Sequence, residues 1–252
     1  MVCKTWFSLV ALGCTVLATP PGGTEPGGGP TIIEFDCSDT PELCNNMCWG
    51  AFCTDQGDGA IGQTLTYDAP SPDTTNARYK AACQTPKNRC SGNGDYNSCD
   101  EYPFKQTNEA DIEDAVSRCV TTNAQSIQGG KISAFTQKHK ALDQMLITFG
   151  NPGDSKFCNY PPTCDNKDGA EWQNGGPAPE PKNPPKNKRH YYLTARGTEL
   201  ASGVKLPVGK RVTSFEVNQT AVEGNIRRLG KRDHFTEYQT VDNEVVEYLF
   251  SV

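Results

Sequence analysis

The chain has no Gly-x-Ser-x-Gly elbow, no Walker loop and no His-Glu-x-x-His helix. These absences exclude the commonest sequence-visible routes to serine hydrolysis, phosphate-loop nucleotide binding and zincin chemistry. Beyond Leu17 no apolar run is long enough to span a bilayer, which excludes a membrane bundle. There is no paired His-x3-5-His and no double Cys-x2-Cys, which argues against structural zinc. The net charge of -6 lacks the bulk positive field with which some proteins grip nucleic acid. What the chain does have is glycine and proline at one residue in six and 12 cysteines among 252 residues. That composition predicts one or two small, loop-rich domains.

Lys4, the apolar run Trp6–Leu17 and the small-residue spacing of Val16-Leu17-Ala18 predict a signal peptide cleaved after Ala18, and hence a secreted product. A lipoprotein site at Cys14 is the rival, but Ala11-Leu12-Gly13 fits that pattern poorly. Cleavage removes Cys3 and Cys14 and leaves 10 cysteines, all between Cys37 and Cys164. In an oxidising medium these predict five disulfides, with a pairing that spacing does not determine.

The expected organisation is a signal peptide (1–18), a Gly/Pro-rich leader (19–30), a cysteine-rich domain (31–170), a Pro-rich linker (171–188) and a basic tail (189–252). Residues 19–181 sum to -11, residues 182–232 to +9 and the last twenty to -5. Two readings of the basic arm stand: it tracks a polyanion such as DNA, or it folds against the acidic head or stays solvated. The expected fold class is α+β, with short strands, two helices and a β-leaning or partly disordered tail. Apolar spacing predicts helices over Ala110–Val120 and Lys131–Ile147, with a turn at Gly129-Gly130 between them. Strands are expected at Ile32–Phe35, Leu65–Tyr67, Tyr191–Thr194, Arg211–Val217 and Val245–Phe250. His139 reads as a partly exposed helix residue, and His190 and His234 have no sequence partner that would make them catalytic. Asn218-Gln219-Thr220 is a glycosylation sequon, and Lys231-Arg232 is a dibasic pair.

The segment Cys99-Asp100-Glu101-Tyr102-Pro103-Phe104 stands out. Adjacent carboxylates fixed beside a cysteine and a Tyr-Pro form a like-charge pair suited to cation binding or to a raised pKa. CDEYPF, together with NPGDSKFC downstream and FDCSDTPELCNNMCWGAFC upstream, resembles the secreted fungal relatives of the NucA/NucB extracellular deoxyribonucleases, over roughly Phe35 to Cys158. The resemblance implies Asp100 as the general base acting on water and Glu101 as a metal-associated acid. Gln125 and Gln128, in the segment ending in Gln-Gly-Gly, are possible orienting groups. It also implies a hard divalent cation (Mg2+ or Mn2+, with Ca2+ possible), a DNA substrate, no small-molecule cofactor and a monomer. Two departures matter. Glu109 stands without the two glycines that follow such a Glu in the family, and Ser126 and Ile127 occupy positions where Asn and Arg are expected. The alternative is therefore a catalytically degenerate binding or toxin-like protein on the same scaffold. A structural wall or matrix protein has only composition in its favour.

Overall fold

A computed structural model describes residues 30–54, 63–112, 115–158, 163–181, 190–197, 199–202, 205–217 and 238–251. The expected signal peptide, the sequon, the dibasic pair and His234 lie outside these residues.

The chain begins with β1 (Thr31–Asp36), whose sequence TIIEFD is buried at four of six positions. Such a continuous run suits a strand covered on both faces. β1 runs parallel to β5 (Gln144–Gly150), with Thr31 opposite Met145 and Asp36 opposite Gly150. On its other edge it runs parallel to β10 (Arg211–Val217). β10 pairs with β11 (Tyr238–Ser251), β11 with β8 (His190–Thr194), β8 with β9 (Glu199–Ser202), and β9 with β5. The row therefore returns to its start and closes a six-stranded barrel. The short β2 (Thr64–Thr66) shares the free edge of β5 with β9.

Strand alternation sorts the barrel into two faces. Ile32, Leu146, Tyr192, Leu200, Val212 and Val245 fill the lumen with Leu206. Ile33, Phe35, Met145, Ile147 and Phe149 face outward into the main core. That core is completed by α1 (Pro41–Cys48), the π-helical turn Trp49–Cys53 that continues it, and α4 (Thr122–Thr136). Trp49 and Phe157 meet edge-on at 4.7 Å, as do Phe52 and Phe149 at 5.9 Å. Above this layer lies a second antiparallel sheet of β3 (Ser98–Tyr102), β4 (Val116–Val120), β6 (Trp172–Gln173) and β7 (Gly176–Pro177). One face of β3–β4 packs on α1 and α4, and α2 (Pro72–Cys83) also packs against the two strands.

Among the described residues all ten expected cysteines are paired: Cys37–Cys44, Cys48–Cys158, Cys53–Cys164, Cys83–Cys99 and Cys90–Cys119. Two of these bonds close loops of 110 and 111 residues and tie α1 and its π turn to the segment after β5.

The α+β expectation holds, with four helices among the described residues rather than two. The five expected strands are present. Both expected helices are displaced. Ala110–Val120 gives only α3 (Glu109–Ile112), followed by β4. Its apolar residues fit a helical period, but in VSRCV the alternation of Val116, Arg118 and Val120 with Ser117 and Cys119 lets the segment pair with β3. Lys131–Ile147 is split between the end of α4 and β5. Leu142 is exposed at φ 76°, and Leu146 lies in the barrel lumen. Gly129-Gly130 is no turn but part of α4, because Thr121 caps the helix through Ala124 N, and Ala124, Gln128, Ile132 and Phe135 bury one stripe that outweighs the glycines. The region expected as linker begins with the β6–β7 hairpin, which is hydrogen-bonded to β4. The described tail strands belong to the barrel rather than to a separate body.

Candidate active site

Asp100 lies in the middle of β3 and is fully buried. Its Oδ2 accepts a 2.8 Å hydrogen bond from Nδ2 of Asn46, itself fully buried on α1. Its Oδ1 has no partner. From α4 the amide of Gln128 comes close enough to favour the charged carboxylate without closing a hydrogen bond of ordinary geometry, so Gln128 Nε2 is also left over. Gln128 Oε1 accepts from Gln125 Nε2 at 3.2 Å, and Gln125 is half-buried. A row of polar side chains thus runs Asn46, Asp100, Gln128, Gln125. It contains four unpartnered buried atoms: Asn46 Oδ1, Asp100 Oδ1, Gln128 Nε2 and Gln125 Oε1. Leaving such atoms unpaired costs roughly 1–3 kcal/mol each, which is a load a merely structural cluster avoids.

Burial raises the Asp100 carboxyl well above the usual range, and the charges of Glu101 and Glu171 add to the effect; Asn46 and Gln128 oppose it.

All of this row except Asn46 lies in a stretch that has a counterpart. Residues 47–148 match the family model of deoxyribonuclease NucA/NucB. The match covers about two fifths of the chain and includes Asp100, Glu101, Gln125 and Gln128. It leaves out β1, most of α1, the β6–β7 hairpin and the tail strands of the barrel. No curated protein and no solved structure matches the chain.

Glu101 does not join Asp100 in one cleft. Neighbouring residues of a strand point to opposite faces, and Glu101 points away from α1 and α4. There it is 4% exposed, 3.8 Å from Lys105 Nζ, and lines a cavity of about 100 Å³ with Arg78, Pro103, Lys105 and Asn174. Burial pushes its carboxyl up to about 7 against the pull of Lys105. Lys105 also lies 4.8 Å over the Tyr79 ring. The same region holds an ion-pair hub: Arg78, 7% exposed, donates to Asp68 and Asp111 and to the Lys105 carbonyl. Glu109 has a backbone task, accepting from Thr66 N at 2.9 Å through both oxygens. The 100–101 pair is therefore split between two environments, and the shared raised pKa comes first from burial.

Among the described residues no three of His, Cys, Asp and Glu gather closely enough to hold a metal. The oxygens around Asp100 suit a hard cation by type, since its Oδ1 and the amide oxygens of Asn46 and Gln125 are unpartnered. Glu101 is not part of that set. His139 is half-buried, stacked 4.0 Å from Phe135 with Asp143 3.0 Å away, and takes no part in the site.

Two further charged residues, which composition and spacing did not single out, adjoin Asp100. Arg118 stands directly opposite it on β4, and Glu171, at the start of the β6–β7 hairpin, binds Arg118 at 2.5 Å. Arg118 sits inside a segment whose periodicity mimics a helix, and Glu171 at the head of a Pro-rich stretch. Neither position carried a sequence signal that joined it to residue 100.

Proposed function

We propose that the protein is a DNA-hydrolysing nuclease, secreted and monomeric, whose reaction centres on Asp100. The observation that carries this reading is the fully buried carboxylate with an unpartnered oxygen at the junction of α1, β3 and α4, inside the stretch that matches a deoxyribonuclease family. Asp100 takes the proton of a water as the water oxygen attacks the phosphorus; the P–O bond to the leaving sugar oxygen breaks, and that oxygen takes a proton from solvent. Asn46 fixes the rotamer of Asp100 through Oδ2, and Gln128 and Gln125 orient the water approaching Oδ1. Asp100 and the amide oxygens of Asn46 and Gln125 are the groups that would hold a hard divalent cation, which would supply charge neutralisation on the phosphate and a more acidic water. Five disulfides among the described residues, and no described helix long and apolar enough to cross a membrane, fit an extracellular protein.

The test is plasmid DNA with Mg2+ or Mn2+, with EDTA and with Asp100→Asn. Wild type is expected to nick and linearise the plasmid only with metal, and loss of the base to slow cutting by about 100-fold or more. An intact plasmid across several metals refutes the nuclease. Cutting that persists in Asp100→Asn refutes the site. A second reading, a non-catalytic binding protein on the same scaffold, is favoured by the complete burial of Asp100 and the single carboxylate in its oxygen set. It predicts DNA binding without cleavage.

A further inference from the structure

Arg118 and Asp100 face each other in the antiparallel register of β3 and β4, so both side chains leave the sheet on one face. They differ in reach. Asp100 is fully buried, whereas the Arg118 side chain is 18% exposed. Its one hydrogen bond is from Nη1 to Glu171 Oε1; no other donor of the guanidinium has a partner among the described residues.

Glu171 is fully buried, its Oε2 has no partner, and its charge is felt at Asp100. An anchor for the hairpin would be a redundant explanation. Asn166 already clamps the hairpin through Glu171 N, Glu171 O and Ala178 O, and Ala178 N donates to Glu171 O. Arg89 bridges the Ser117 and Ala170 carbonyls and lies 4.7 Å over the Trp172 ring. Cys53–Cys164 ties down the segment just before it. A buried carboxylate also adds little net stability over an apolar residue once its desolvation is counted. What it does add is a fixed guanidinium with spare donors, aimed along the face that Asp100 occupies. A planar fork of that kind recognises a tetrahedral oxyanion while one edge stays committed to a carboxylate; a lysine cannot do both.

We propose that Arg118 is the phosphate-contacting side chain of this site, and that Glu171, from outside the family-matched stretch, is the residue that positions it. The proposal rests on the nuclease reading for its substrate, a DNA phosphodiester. It also gives the chain a guanidinium at the site although Ser126 and Ile127 stand where the resemblance expects Asn and Arg.

The experiment uses the full chain with Arg118→Gln, Arg118→Lys, Glu171→Gln and the double variant Arg118→Gln/Glu171→Gln, each checked for a single cooperative unfolding transition. Steady-state cleavage is measured on DNA. Binding to a short duplex over a salt series is measured in the Asp100→Asn background. Arg118→Gln is expected to weaken binding about tenfold and to lower the salt slope by about one, and Arg118→Lys to restore the slope but not the cleavage rate. Glu171→Gln removes a negative charge, so it is expected to lower kcat without raising KM, a split that simple loosening of the hairpin would not give. In the Glu171→Gln background, Arg118→Gln should have a much smaller effect on kcat. An unchanged salt slope in Arg118→Gln overturns the phosphate contact, and independent, multiplying effects of the two substitutions overturn the positioning role. If wild type binds but does not cut, the nuclease reading fails while the salt slope still decides Arg118. If it neither cuts nor binds, both fall.

Discussion

Glu101 and Glu171 are both buried, and burial pushes both carboxyls up to about 7 from a usual value of 4.5. A folded-state pKa above the unfolded one means that the native state binds more protons between those values. The stabilising contribution is therefore complete below 4.5 and is lost as pH rises through 7, by up to roughly 3 kcal/mol per group. Unfolding temperature should fall as pH is raised through that window. Glu101→Gln, neutral throughout, should flatten the fall and exceed wild type in stability at about pH 8. A melting profile that is level or rising over the same range would contradict both assignments. At this scale the sequence singled out Asp100 as a candidate, through CDEYPF. It did not announce Asn46, 54 residues away, nor Arg118 and Glu171, separated by 53. Contacts of that span are created by the packing of α1 and the hairpin on one sheet, which no local pattern encodes. The pairing of Asp100 with Glu101 misled for a local reason: adjacency in sequence is opposition in a strand.

At the scale of single elements, two glycines make opposite predictions. Gly50 lies in the π-helical turn against the Tyr102 ring, where an added Cβ would fall 2.5 Å from Cδ1 and 3.0 Å from Val116 Cγ2. Both neighbours are fully buried in the main core and cannot yield. Gly50→Ala should cost roughly 2 kcal/mol or more in denaturant unfolding. Gly129, inside α4, has nothing within 4 Å of the same position, so Gly129→Ala should stabilise by about 0.5–1 kcal/mol. Equal effects at the two sites would undo this view of both elements. The same contrast explains what was legible here. Strands with two apolar faces or clean alternation, β1 and β10 among them, were visible in sequence. α4 was not, because its Gly-Gly pair imitates a turn, and β4 was not, because a disulfide-bonded cysteine at its fourth position completes a helical period.

For the molecule as a whole, the barrel decides what the tail is. Among the described residues, five of the seven that fill the lumen, Tyr192, Leu200, Leu206, Val212 and Val245, come from beyond the Pro-rich segment. At roughly 1.5–3 kcal/mol of burial each, their loss is comparable to the 5–15 kcal/mol that holds a typical domain folded. Truncation after Pro181 should therefore abolish cooperative unfolding and expose Ile32 and Leu146, read as binding of an apolar dye. A truncated chain that melts sharply near the wild-type temperature would show that the barrel strands are dispensable. The charge sum left two readings of the arm, along a polyanion or against the acidic head or solvated; the pairing of β1 with β10, 180 residues apart at Ile33 and Thr213, was beyond any sequence reading.

Barrel closure also sets an order of assembly. Every described disulfide joins cysteines between residues 37 and 164, so none of them waits on β8–β11 for its partner. A growing chain can form those bonds while its last strands are still being synthesised. β1 then waits at the front, held by β5 on one side, with its other edge open until β10 arrives. For that interval the nascent protein carries an exposed parallel edge lined with Ile32 and Ile33, the point at which two unfinished copies are most apt to pair with each other.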